Sequence, residues 1–565
     1  MTETAVLPRA FPHRRGTARG GRRWTAAALL AAGLAALPVL SVLWVALTPT
    51  ENIWPHLVNT VLPGYIRTTL LLLAGVAAGT LTAGVATAWL VTMCRFPGRG
   101  LFEWALLLPM AMPAYIIAYT YTDLLEFAGP VQTGLRALFG WQTGRDYWFP
   151  EIRSTGGAML MLALVLYPYV YLMARAAFLQ QSVCVLEAGR TLGGSPWRCF
   201  RRVALPLARP ALVAGVSLVM METLNDFGTV DFFAVRTLTA GVFDVWLSMG
   251  NAGGGAQIAL VMLLFVVLLL WAERSSRGKR RYHATSRRYQ ALPGYRLRGW
   301  RLAAALALCG APVLFGFLLP ALMLLFHSLD GWRLALENNF LAHARNSLLL
   351  AGTAAVATMA AGTFLAYALR LRPGRLLATA VRLASVGYAL PGVVLAIGVL
   401  VPLAGFDNVL DAFLKANLGI SSGLLLSGTV FALLFAYMIR FLVVGIGSAE
   451  SALGKVTPGM DDAARALGAG PLRILRQVHV PMIRSGILTG GVLVFVDCMK
   501  ELPATLILRP FNFDTLATHV YQYASDERLA LAAPGALAIV ITGVIPVILL
   551  SRSIRAARPG HAQGK

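Results

Sequence analysis

The sequence predicts an all-α polytopic membrane protein, with about 12 transmembrane helices in two homologous six-span halves. Two observations carry this reading. Of 565 residues, 57% are hydrophobic and 13% charged, about half the charged share of a soluble domain. Apolar runs of about 20 residues, each long enough to cross a bilayer, recur along the whole chain. A third observation, a repeat at a constant offset, divides the chain in two and is developed below.

Taken in order, the apolar runs place spans near 24–48, 68–92, 101–122, 157–178, 208–228 and 257–272. A second six follow near 302–327, 346–369, 383–402, 423–443, 485–508 and 532–551. Twelve spans put both termini on one side. About three-quarters of the 49 Lys and Arg fall in the termini and in alternate loops of that same side, which the positive-inside rule assigns to the cytoplasm. The net charge of +24 is then a signature of topology, and nucleic acid is not implied as a partner. The chain divides into a basic cytoplasmic N-terminus (1–23), a first membrane domain (24–272), a basic cytoplasmic linker (273–301) suited to anionic headgroups, a second membrane domain (302–552) and a cytoplasmic tail (553–565). The apolar run after Arg22-Arg23 is about 25 residues, too long for the 7 to 15 of a signal peptide, so it reads as an uncleaved first span. Five scattered cysteines form neither a disulfide framework nor a CxxC site and read as packing residues.

Residues 187–215 match 462–490 at an offset of 275, with eleven of 29 positions identical. Glu187 or Asp462 is followed by Ala188 or Ala463, by Gly193 or Gly468 six residues on, and by Pro206 or Pro481 thirteen after that. Each copy reads as a short helix, a break at the glycine, and a second helix running to the proline. An interfacial amphipathic helix without a partner would also fit the composition. The kept spacing argues for more.

This pattern resembles the EAA loop of binding-protein-dependent ABC importer permeases, with Asp462 in place of the usual Glu. The resemblance implies the type I ABC importer permease fold, fused as a pair. It implies that both loops are coupling helices docking on two copies of a cytoplasmic ABC ATPase, that a periplasmic substrate-binding protein delivers the cargo, and that the chain sits in the bacterial inner membrane. No G-x-x-x-x-G-K-[ST] phosphate loop exists; the nearest string, Gly454-Lys455-Val456, lacks the upstream glycine and the hydroxyl residue. No cofactor is therefore expected on this chain, and ATP and Mg belong to the partner ATPase. No nucleophile, base and orienter constellation suggests an enzyme.

Charges inside spans are costly and point to a pathway. The fifth span ends with Glu222 and Asp226, the eleventh carries Asp497 and Glu501, and the same offset of 275 relates the pairs. At i, i+4 on a helix face, such carboxylates are neighbours that repel. They would suit a hard cation, which takes oxygen ligands, or they could cap backbone groups freed near Gly228 and Pro503. Lys500 is a ready internal counter-ion. The strings ETLNDFGTV and KELPATLILRPF, followed by DTLAT, resemble the fused permeases of ferric iron ABC importers, which implies Fe(III) as cargo; thiamine and phosphonate permeases share the architecture. The reading from another class is a proton-coupled secondary transporter using the same carboxylates. Lesser expectations are that His479 faces solvent, that Cys498 packs in the core, and that Tyr65, Tyr121, Tyr147 and Trp148 anchor at the outer interface.

Overall fold

The computed structural model describes residues 19–179, 181, 191, 195–277, 294–337 and 339–556. Among them, eleven helices are long and apolar enough to cross a membrane, and twelve if a pair bent by 90°, Arg99–Ala111 with Ala114–Phe139, counts as one span. The predicted spans recur in order, most of them longer than the apolar runs alone suggest; the second, for example, runs Leu62–Met93.

Departures in four of the predicted spans, the third, ninth, fifth and eleventh, turn on the geometry of proline. The third span is not straight. Its first helix passes into a 3₁₀ turn, Leu108–Ala111, then Met112 turns extended (φ −88°, ψ 116°) and Pro113 caps the helix Ala114–Leu125. The ninth span repeats this: a 3₁₀ turn at Ser385–Ala389, extended Leu390, and Pro391 before Gly392–Leu418. Proline forces the residue before it out of the helical region and cannot donate, so a chain that reads as one apolar run breaks there.

The fifth and eleventh spans show the converse. The loop helices were expected to end at Pro206 and Pro481, yet each span is one continuous run, Pro196–Asn225 and Pro471–Met499. A π-helical turn, Phe200–Ala204 or Leu475–His479, immediately precedes Leu205-Pro206 or Val480-Pro481. The wider turn accommodates the extra residue and loosens the ladder where proline lacks a donor, so the helix bends without stopping. The same two spans end earlier than predicted, at Asn225 and Met499, each followed by a short helix, Gly228–Phe232 or Pro503–Leu508.

The halves interlock. The first span packs along the ninth, so closely that a Cβ on Gly398 would strike the backbone of Pro38. Trp24 at its start rests on Phe364 and Tyr367 of the eighth span, with ring centroids 5.3 Å apart in both cases. In exchange, the seventh span packs on the third, where Tyr121 Oη donates to the Phe315 carbonyl at 2.7 Å. Tyr65 and Tyr121, expected to face the interface belt, are instead buried among helices. Tyr65 lies over Gly241, because each aromatic ring finds a protein partner for its apolar face and its hydroxyl. Trp148 is exposed, while Tyr147 stacks on Trp141 and donates to Gln132. The four cysteines among the described residues, Cys94, Cys199, Cys309 and Cys498, are buried.

Candidate functional site

The second of the repeated loops is described completely. Extended Thr457 precedes a helix, Pro458–Ala466, whose first-turn proline costs no hydrogen bond. The helix ends because Gly468 adopts φ +78°, a conformation that costs any residue with a Cβ. Its N–H donates to Arg465 O at 2.9 Å and that of Ala469 to Ala464 O at 3.0 Å, satisfying carbonyls the helix end leaves free. Asp462 and Ala463 face solvent, with Asp462 3.1 Å from Arg465 Nη1. Beside them Leu467 is 86% exposed, an apolar side chain offered outward at the turn.

The loop's other face is bolted down. Asp461, one residue before the motif's acid, is buried between Arg370 Nε at 2.9 Å and His479 Nε2 at 2.5 Å. Arg370 also donates to Leu453 O at 2.6 Å and Val456 O at 2.9 Å, and Tyr367 Oη to Pro471 O at 2.8 Å. His479 was expected to face solvent. It is fully buried, because the π-turn swings it under the loop against Asp461 and the Tyr367 ring. Composition did not single out Asp461; the available signal was an acid and a histidine flanking the loop with an arginine closing the eighth span. In the first copy, Glu187, Ala188 and Gly193 lie outside the described residues, while Pro206 follows its π-turn as Pro481 does. Its residues at the positions of Asp461 and His479 are Leu186 and Ala204.

The intramembrane charges do converge. Glu222, Asp226, Asp497, Lys500 and Glu501 all line one cavity of about 120 Å³, together with Arg440. The i, i+4 pairs are nevertheless not single-face pairs, since each helix ends between its two acids. Asp226 lies just past Asn225 and accepts from Thr229 N and Val230 N, both at 3.2 Å, and from Thr229 Oγ1 at 2.9 Å. Glu501 does the same 275 residues later, accepting from Ala504 N and Thr505 N at 3.1 Å and from Thr505 Oγ1 at 2.7 Å. Both acids are thus caps of the short helices that follow.

Glu222 and Asp497 are disposed differently. Glu222 accepts from Tyr388 Oη at 2.9 Å, and Asp497 is 3.0 Å from Lys500 Nζ. Of the two roles left open for these acids, a four-carboxylate cage is not seen: among the described residues no group of three or more His, Cys, Asp or Glu is placed to hold an ion. Two of the four carboxylates are turned to backbone N–H groups. Arg440, missed because it lies within an apolar run of the tenth span, sits 3.5 Å from Glu501 Oε1.

Comparison with known proteins places this geometry in a family. Residues 75–281 and 358–558 each match the binding-protein-dependent transport system inner membrane component family. The chain belongs to that family, as two fused copies of its domain. It is 25% identical over 500 residues, 86% of this chain and 89% of the relative, to an Fe(3+)-transport system permease protein of Haemophilus influenzae. It is 27% identical over 206 residues, 35% of this chain and 86% of the relative, to a molybdenum transport system permease protein of Escherichia coli. A sulfate transport system permease protein of Escherichia coli is 30% identical over 196 residues, 34% of this chain and 67% of the relative.

Proposed function

We propose that this chain, with its two fused permease domains, is the membrane conduit of an ABC importer that carries ferric iron from a periplasmic binding protein into the cytoplasm. ATP and Mg are handled by two copies of a separate ATPase docked on the two repeated loops. The observation that supports the cargo is that the Fe(3+)-transport permease is matched through both domains; the molybdenum and sulfate permeases are shorter proteins, matched over 86% and 67% of their own length.

The cavity supports the same reading. Its 120 Å³ is below the ~300 Å³ at which pockets for drug-sized organic ligands begin. That size suits a small ion better than thiamine. Glu222 and Asp497 provide oxygen ligands suited to a hard cation, and Asp226 and Glu501 hold the short helices that frame the space.

On this reading, both termini and both loops are cytoplasmic. The exposed Asp462, Ala463 and Leu467 meet the ATPase, and their first-half counterparts Glu187, Ala188 and Leu192 meet its second copy. Movement of the ATPases reaches the membrane through the rigid continuation of each loop into the fifth and eleventh spans, past Pro206 and Pro481.

Reconstitution of the chain with its ATPase and binding protein tests the proposal by comparing uptake of Fe(III), molybdate, sulfate, thiamine and a phosphonate. ATP-dependent uptake of Fe(III) above the others is expected. Uptake driven by a proton gradient without the ATPase would instead establish a secondary transporter. Gly193→Val with Gly468→Val separates the loops' role from cargo choice: transport should fall to background while the chain still inserts, and wild-type transport by that variant would remove the coupling assignment.

A further inference from the structure

Arg440 is the cavity-lining charge with the poorest hydrogen bonding. Its side chain is 8% exposed, yet Nε and Nη1 make no hydrogen bond, and the nearest acid oxygen, Glu501 Oε1, is 3.5 Å from Nη1. Glu501 does not need it, since its carboxylate already accepts from two backbone N–H groups and one hydroxyl. Buried donors without acceptors are costly, so a guanidinium left this way beside a cavity is one whose acceptor arrives from elsewhere.

The surroundings keep it there. A Cβ on Gly392 would lie 2.7 Å from Arg440 Nη1 and 2.9 Å from Glu501 Oε1, so glycine at that position leaves the space the guanidinium fills. Lys500, paired with Asp497 at 3.0 Å, brings a second cation to the same lining. At the positions of Arg440 and Lys500 the first half has Val165 and Asn225, which also line the cavity. The cations therefore come from the second half alone.

We propose that Arg440 is the anion pole of this cavity and holds one small oxyanion, with Lys500 near it. A guanidinium presents paired N–H donors that match two oxygens of a carboxylate, sulfate or phosphate. A cavity of about 120 Å³ suits one such ion and is small for a nucleotide, since pockets for drug-sized ligands begin at ~300 Å³. The oxyanion is either cargo in its own right or a ligand entering with a metal cation. The inference stands on the cavity and holds whichever cargo crosses it.

Direct binding tests it. The chain with its ATPase, held in nanodiscs, is titrated with radiolabelled sulfate, alone and with equimolar Fe(III). Saturable binding near one ion per chain is expected, weakened about tenfold or more by Arg440→Met and less by Arg440→Lys. Gly392→Ala keeps the charge but displaces the guanidinium, and should weaken binding in a chain that remains monodisperse. Binding without Fe(III) identifies the oxyanion as a ligand in its own right; binding only with Fe(III) identifies it as a co-ligand. No saturable binding in either arm, or wild-type affinity in well-folded Arg440→Met or Gly392→Ala, overturns the proposal. Sulfate binding with no Fe(III) uptake would count against the iron reading and leave the anion pole standing.

Discussion

The two halves build their helix breaks alike and their charges differently. Asp226 and Glu501 cap equivalent short helices through equivalent atoms, and π-turns precede both Pro206 and Pro481. Yet the second half carries Arg440 and Lys500 where the first has Val165 and Asn225, and Asp461 and His479 where the first has Leu186 and Ala204. A backbone N–H freed by a helix end must be met wherever that break occurs, so capping is kept in both copies. A charge pair is optional, and once fused, each half can lose or gain one independently.

The sharpest way to break this comparison is at the bolted loop. Asp461→Ala leaves Arg370 and His479 buried without their acid and should destabilise the chain by about 3 kcal/mol, seen as a lower thermal midpoint in detergent. The triple replacement Asp461→Leu, His479→Ala and Arg370→Thr installs the first-half residues Leu186, Ala204 and Thr92, the last being the match to Arg370 when the 32-residue second and eighth spans, Leu62–Met93 and Phe340–Leu371, are aligned end to end; it should cost less than the single change, because no charge remains unpaired. A triple variant less stable than Asp461→Ala would mean that the ionic network itself is what the second loop requires.

A smaller effect separates the acids of each pair by role. Glu222→Gln with Asp497→Asn should reduce Fe(III) uptake about tenfold or more, roughly 1.4 kcal/mol, while the thermal midpoint and ATPase docking persist. Loss of folding, with uptake per folded molecule unchanged, would show these two acids to be structural like the others.

The smallest effect is at the caps. Asp226→Ala should cost about 1 kcal/mol of stability, whereas Asp226→Asn, which can still accept from Thr229 and Val230, should cost only a few tenths. Glu501→Ala should match Asp226→Ala if the two caps are equivalent. A much larger loss at Glu501 would show that its neighbour Arg440 depends on it.

Span number and order, the duplication, and the loop with its glycine break were legible because they depend on local chemistry. A run of 20 apolar residues has few alternatives to a membrane helix, and a glycine six residues past the motif's acid marks the stop that Gly468 makes at φ +78°. The convergence of Glu222, Asp226, Asp497, Lys500 and Glu501 was also legible as a consequence of symmetry. Which acid caps and which faces the cavity was not, since an i, i+4 spacing places both on one face only while the helix continues. Asn225 and Met499 end it between them.

Other features belonged to the tertiary structure alone. Arg370, Asp461 and His479 are far apart in sequence and meet because a π-turn carries His479 beneath the loop, and Arg440 becomes notable only when folding leaves two of its nitrogens without acceptors. Hydropathy and spacing act through residues near in the chain, so the sequence alone determined the spans, the repeat and the loops. Pairing among buried charges depends on which helices touch, and with the first span crossing to the second half and the seventh to the first, only the assembled fold could decide it.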